Sequence, residues 1–510
     1  MYFFKKYKSF IFAFTTVLLF LYAMIISAWI SDDILISLSQ IVNFHNGDGL
    51  VFNYGERVQA FTHPSWFFLL SLLTYITNDY YYSIIFISIL LSLGSILILL
   101  YYSYKFKHIS LAIAALGLLI FSKAFVDYST SGLENPLSYF LFSIVLYILF
   151  TYETLSKKHL YYLYIIFTFI FLNRMDYALI LLPIVIWLLL KYKNKNVTPL
   201  IIASTIAISW FLFSLFYFGH FFPNTFYAKL KAGYHSSEFI ERGLQYFQVQ
   251  YNNDPITLLI ITLGVGIGIF HNTKSRVVAI GLILYMLYFL KSGGDFMQGR
   301  FFAIPALISI FLIVYFTVEK KVSIFFYVIL IPFVYIWSSS TSPLFVNKNY
   351  KNLQFCMGVA DERGFYFQAY GLISSNRNWP KITTLSNKQP KQAIPICAKL
   401  GAEALGNRDN VFFVDICALS DPLLSQLPAI HHPNWRIGHQ ARDIPINYID
   451  AVLNNNILLQ DKQVNELYKD IKKVTRGKLF SISRLKAIYR INLFNYHIDK
   501  NRYKNPQNHN

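Results

Sequence analysis

Apolar positions along this chain come in long unbroken runs rather than in stripes. The first reaches from Phe10 to Ile30, behind Lys5, Lys6 and Lys8. Others follow at roughly 81–103, 109–126, 136–151, 159–172, 177–190, 198–218, 256–270, 277–291, 301–317 and 322–338. Runs near the roughly 20 residues that a bilayer core demands read as transmembrane helices. The first run lacks a small-residue cleavage site after it, so it is taken as a retained span rather than a signal peptide. Ser65–Ile76 is shorter, sits beside Trp66, and is expected to lie in the membrane interface. About 11 spans result.

With that count the loops Tyr104–His108, Thr151–Lys158, Lys191–Asn196, His271–Arg276 and Thr317–Lys321 fall on one side, and each holds at least two basic residues. Cytoplasmic loops carry such an excess. Treating Ser65–Ile76 as a full span would turn all of them outward. The same parity puts residues 339–510 outside the cytoplasm, where Gly, Pro, Asn and charged residues become commoner. Within that segment Asn410–Asp415 predicts a buried strand and Tyr448–Leu459 a helix. The expected organisation is a polytopic α-helical transmembrane module over 1–338 and an extracytoplasmic mixed α/β domain over 339–510.

Composition agrees. Only 14% of the 510 residues are charged, against about 25% in soluble proteins. The 18% of aromatic residues excludes a disordered chain, and no fixed-period repeat suggests a solenoid. The formal net charge of +19 is spread in pairs between apolar runs, without zinc-finger or helix-turn-helix spacing, so no nucleic acid is expected as a partner. Cys356, Cys397 and Cys417 lack metal-ligand spacing and allow at most one disulfide. Gly264, Gly266 and Gly268 look like a nucleotide loop but lie inside an apolar span with no strand before them. His431, His432 and His439 are read as loop histidines. The sequence demands no metal.

Ionisable and polar residues gather in the loops on the other side. They are Asp32 and Asp33 after the first span, Asp127 and Glu134, Arg174 and Asp176, Asn224 and Lys229, and Asp295 and Arg300. Each alone has an ordinary explanation as a solvated loop residue or a helix cap. Collected at one face, they suggest a site at the lipid–water boundary. A carboxylate there can deprotonate a hydroxyl, and Arg or Lys can hold a leaving phosphate. With no nucleotide-binding domain, the donor is expected to be a polyprenyl-phosphate-linked sugar arriving through the membrane lipid, with a glycan as acceptor. No cofactor is expected. A lipid-linked-glycan transporter or flippase, and a non-catalytic envelope assembly protein, are the alternatives; the one-sided placement disfavours a transporter, whose ionisable residues cluster near the midplane.

Three segments of the first polar loop carry a resemblance: Ser31-Asp32-Asp33-Ile34, Asn46-Gly47-Asp48-Gly49 continuing to Glu56-Arg57-Val58, and Phe61-Thr62-His63-Pro64-Ser65-Trp66. With Thr130–Glu134, Pro223–Lys229, Gly293-Gly294-Asp295, Arg300-Phe301, Asp415, Asp421-Pro422 and Gly438-His439, they resemble the GT-C membrane glycosyltransferases of the mycobacterial terminal arabinofuranosyltransferase kind, with LphB-like relatives in Legionella. The resemblance implies an inverting transferase in a bacterial inner membrane, its C-terminal domain periplasmic, with the Asp32-Asp33 pair supplying the base. Arg300, Lys229 and Arg174 would neutralise the departing phosphate, with Asn224, His63, Glu134 and Asp295 as further substrate-binding positions. His63 and Leu38-Ser39-Gln40 depart from the family pattern and bear on which sugar is used. Two adjacent residues at a helix start point about 100° apart, so one carboxylate is expected to face the substrate. The spacing leaves the choice open, and the resemblance favours Asp32.

Overall fold

The computed structural model describes residues 2–321, 335, 355–382, 389–433, 435–454, 457–493, 496 and 498–504. Apart from Tyr335, the span expected at 322–338 lies outside them. Each of the other expected spans falls on helix, including Tyr2–Ser27, Tyr81–Lys105, Asn135–Thr151, Lys157–Asn173, Ala178–Tyr192 and Val197–Phe218. The run at 109–126 divides into Ile109–Leu119 and Lys123–Asp127, because Ser122 caps a new helix by accepting from the Phe125 N–H. Pro64–Thr77 is a short apolar helix of 14 residues.

Six described helices are long and apolar enough to cross a bilayer, or seven if one bent pair counts as a span. That is fewer than the 11 expected. Asn135–Thr151 and Lys157–Asn173 have 17 residues each, or about 25 Å, the lower end of what a bilayer core needs. The chain is a multi-pass helical membrane protein.

It packs as two compact units that are not contiguous in sequence. One comprises 1–31, 76–205 and 236–378; the other comprises 32–75, 206–235 and 379–510. In the first unit, helix Ala303–Lys320 is buried along almost its whole length. Small residues let its neighbours approach closely, as helices in membranes require. A Cβ added at Gly264 would lie 2.3 Å from the Ser309 Cβ, and one at Gly268 would lie 2.8 Å from the Ala279 Cβ. Of the three glycines that mimic a nucleotide loop, Gly264 and Gly268 thus form a helix-packing seam, while nothing lies within 4 Å of a Cβ at Gly266.

Helices Ser236–Asn253 and Pro255–His271 meet at 108°. Pro255 has no N–H to continue the first helix. Asp254 caps the second, accepting from the Thr257 hydroxyl at 2.5 Å and from the Ala124 N–H at 2.9 Å.

The second unit contains the expected strand, Val411–Asp415, paired in parallel with Gln392–Ile396 in the register Gln392 to Val411 and Ile396 to Asp415. Helix Leu400–Gly406 connects them. Cys397 and Cys417, just beyond the strand ends, form the disulfide, while Cys356 of the first unit is a free thiol. Helix Tyr448–Leu453 is shorter than expected. Helix Lys462–Arg476 turns Val464, Leu467, Tyr468, Ile471 and Val474 inward, the spacing of an amphipathic helix.

Candidate functional site

In the first unit, Glu134, Arg174 and Arg300 form one cluster. Glu134 precedes helix Asn135–Thr151 in a turn where Gly132 has φ +79°. The loop is pinned by Asn173, whose amide donates to the Glu134 carbonyl at 2.9 Å and to the Ser138 hydroxyl at 2.8 Å. The next residue, Arg174, is therefore delivered to the Glu134 side chain. Its Nη1 donates to Glu134 at 3.2 Å, while Nε and Nη2 grip both oxygens of Asp176 at 3.0 and 2.5 Å. The guanidinium lies 4.5 Å from the centre of the Phe301 ring.

Arg300 approaches from the other side. Its Nη2 lies 3.1 and 3.2 Å from the two Glu134 oxygens, and its Nη1 reaches Asp295 at 3.5 Å. The Glu134 side chain is 1% exposed, against 11% for Arg174 and 13% for Arg300, so all three are largely buried and the carboxylate is sealed most completely. In the loop before Arg300, Gly294 has φ +73° and packs on Tyr246, where a Cβ would come within 2.6 Å of the ring. The Tyr246 hydroxyl donates to the Met297 carbonyl and accepts from the Phe301 N–H. This glycine therefore serves internal packing.

Sequence reasoning missed a second network in this unit. Asp127 accepts from Arg363 at 2.8 Å and from Lys123, which also pairs with Asp361 at 3.2 Å. Burial works to raise the Asp361 carboxyl, but Lys123, the Gly364 N–H and Arg363 outweigh it and hold it below the usual carboxylate range. Asp127 was visible as a loop carboxylate, whereas Arg363 lies in a segment that composition assigns elsewhere.

The second unit holds the other expected residues. Asp32 and Asp33 open helix Asp32–His45. Asp32 is buried, its two oxygens accepting from the Gly401 N–H at 3.0 Å and the Ala402 N–H at 2.9 Å. A Cβ at Gly401 would lie 2.3 Å from the Asp32 carbonyl oxygen, so only glycine allows this approach. Burial raises the Asp32 carboxyl above its usual range, partly offset by the two N–H donors. Asp33 is half-exposed.

Ser37, one turn beyond Asp33 on the same helix face, lies 3.2 Å from His63 Nε2, while Thr62 meets the other ring nitrogen. Asn224 is buried, donating to the Ala418, Leu419 and Asp421 carbonyls and accepting from Ser425. Lys229 is exposed on helix Asn224–Leu230. Arg57 donates to the Val474 and Gly477 carbonyls at the end of helix Lys462–Arg476, where a cation suits the helix dipole.

The segments around Asn46–Val58 knit this unit together. Asn53 exchanges two hydrogen bonds with the Phe413 backbone, and Glu56 pairs with Arg476 at 3.2 Å. Among the described residues, no group of three or more His, Cys, Asp or Glu side chains is arranged to hold a metal ion.

Residues 62–217 match the family model described as dolichyl-phosphate-mannose-protein mannosyltransferase. Over 324 residues the chain is 26% identical to the terminal beta-(1->2)-arabinofuranosyltransferase of Mycobacterium tuberculosis, covering 54% of this chain and 51% of that protein. The chain thus spans about half the length of this curated relative. Among solved structures, ArnT from Cupriavidus metallidurans bound to undecaprenyl phosphate is similar over 67% of this chain and 66% of that one, at 11% identity and a TM-score of 0.44. On the family match and the mycobacterial relative, the chain resembles the GT-C membrane glycosyltransferases.

Proposed function

We propose that the chain is an inverting glycosyltransferase that moves a sugar from a polyprenyl-phosphate donor to a hydroxyl of a cell-envelope glycan. The observation that carries this reading is the pair of arginines on Glu134. Arg174 and Arg300 are fixed by carboxylates at the ends of apolar helices, and each keeps slightly more exposure than the Glu134 they share. A phosphate presents to a guanidinium the same paired oxygens as a carboxylate, so it can share or take over the contacts that Glu134, Asp176 and Asp295 make.

In the reaction the acceptor oxygen bonds to the anomeric carbon as the bond from that carbon to the phosphate oxygen breaks. The electron pair leaves on polyprenyl phosphate, and Arg174 and Arg300 stabilise the charge. The acceptor proton passes to a carboxylate. We assign it to Asp33, which is partly exposed, whereas both oxygens of the buried Asp32 hold the backbone of helix Leu400–Gly406. In the second unit Lys229 is an exposed cation that we keep as a substrate-binding candidate, and Asn224 and His63 position their loops. The donor is a substrate, and no cofactor enters this reading. The basic loops favour an inner-membrane protein whose C-terminal residues lie in the periplasm.

One observation favours the alternative of a non-catalytic assembly protein: Asp32 acts as a clasp. The test is binding of undecaprenyl phosphate to the purified full chain in nanodiscs, read by native mass spectrometry. Wild type should bind, and Arg174→Ala and Arg300→Ala should each weaken binding about 10-fold or more, the size of a lost charge-assisted contact. Equal binding by all three proteins would remove the arginines from the reaction.

A further inference from the structure

The helices of the first unit have a second polar end. Asn135–Thr151 starts beside Glu134, and Ala303–Lys320 starts beside Arg300; both run about 25 Å before they end. Around those far ends lies a cavity of about 780 Å³, within the range of small-molecule sites. Three lysines from separate segments line it: Lys191 in the last turn of Ala178–Tyr192, Lys274 in the first turn of Thr273–Lys291, and Lys321 after Ala303–Lys320.

Two carboxylates, Glu153 and Glu319, also face it, which leaves the lining with one net positive charge. Glu319 is already engaged, accepting from His271 at 2.8 Å and Asn272 at 3.1 Å. Lys274 is braced by the Tyr152 carbonyl at 2.6 Å, and Lys191 lies 4.9 Å from the centre of the Trp187 ring. Phe150 stacks on Tyr315 at 4.1 Å in the cavity wall. Aromatic rings beside lysines at helix ends mark a membrane–water interface. Basic pockets between helix ends on the cytoplasmic side hold acidic lipid headgroups.

We propose that this cavity binds the phosphate of an anionic phospholipid of the surrounding membrane, with the lysines around the headgroup. The inference rests on the chain being a membrane protein and not on the transfer reaction, which uses the opposite helix ends. The chemistry is that of a phosphate with attached acyl chains, so a soluble phosphate is the competing source.

The experiment uses the full chain, delipidated stepwise and re-exposed to phosphatidylglycerol, phosphatidylcholine or inorganic phosphate, with bound species counted by native mass spectrometry. Wild type should retain phosphatidylglycerol over phosphatidylcholine. Lys191→Gln, Lys274→Gln and Lys321→Gln should each weaken retention about fivefold, equivalent to about 1 kcal/mol apiece. The triple Lys→Arg variant should keep it, and Lys320→Gln, outside the cavity lining, should behave as wild type. Equal retention of the two lipids, no loss in the Gln variants, or displacement of the lipid by inorganic phosphate would each overturn the proposal.

Discussion

Asp32 and Asp33 are neighbours with different surroundings. Two backbone N–H groups hold Asp32, and burial keeps it away from water, while Asp33 stays half-exposed one turn before Ser37. Replacing Asp32 by Asn turns an amide N–H₂ toward one of those N–H donors, leaving a buried donor unsatisfied. That should cost about 1–3 kcal/mol, visible as a lower melting temperature in detergent, whereas Asp33→Asn, at a more exposed position, should lower it less. Equal melting of both variants would contradict the clasp.

Asp421 makes a pH prediction. Burial, and then the nearby Glu56 charge, push its carboxyl up to about 8, although the Leu424 N–H and the Tyr448 hydroxyl favour the charged form. Its folded pKa therefore lies above the ordinary value of 3.8. The associated stability is fully present below that value and is lost as pH rises through about 8. Asp421→Asn has no such loss. Its melting temperature relative to wild type should rise from about pH 5 to about pH 9, and a constant difference would contradict the assignment. The ionisable character of Glu134, Arg174 and Arg300 was legible, because charges flanking apolar runs stand out. Their convergence on one carboxylate was not, since it depends on Asn173 pinning a loop.

At the level of elements, run length identified the helices well, because a bilayer imposes a minimum length that composition reveals directly. It did less well at breaks. The run at 109–126 looks continuous, yet the Ser122 cap divides it, and Asp254-Pro255 bends its helix pair by 108°. Strand Val411–Asp415 was legible from its short apolar run, but its partner Gln392–Ile396 is mostly exposed and lacks that signal. The Gly264–Gly268 seam supplies a test. Gly264→Val must displace Ser309, an overpacking cost of about 1–3 kcal/mol. Gly266→Val, with nothing within 4 Å of its Cβ position, should cost much less. Equal melting temperatures would contradict the packing role.

For the molecule as a whole, the composition change after residue 338 is real, but it does not follow the packing. Residues 32–75 and 206–235 join the C-terminal residues in one compact unit. The conspicuous first-loop segments owe much of their character to this. Asn53 binds the strand backbone and Glu56 binds Arg476, both hundreds of residues away in sequence, and no local pattern announces such contacts. The structural roles of these residues and the proposed chemistry are therefore separable by experiment. The most direct test is mass-spectrometric analysis of envelope glycans from the source organism, comparing wild type, a deletion, and the deletion complemented with wild-type or Asp33→Asn protein at matched membrane levels. The account predicts that a glycan lacks one sugar residue in the deletion, that wild type restores it, and that Asp33→Asn does not. Identical glycans in the deletion and the wild type would contradict glycosyl transfer, and full restoration by Asp33→Asn would remove this carboxylate as the base.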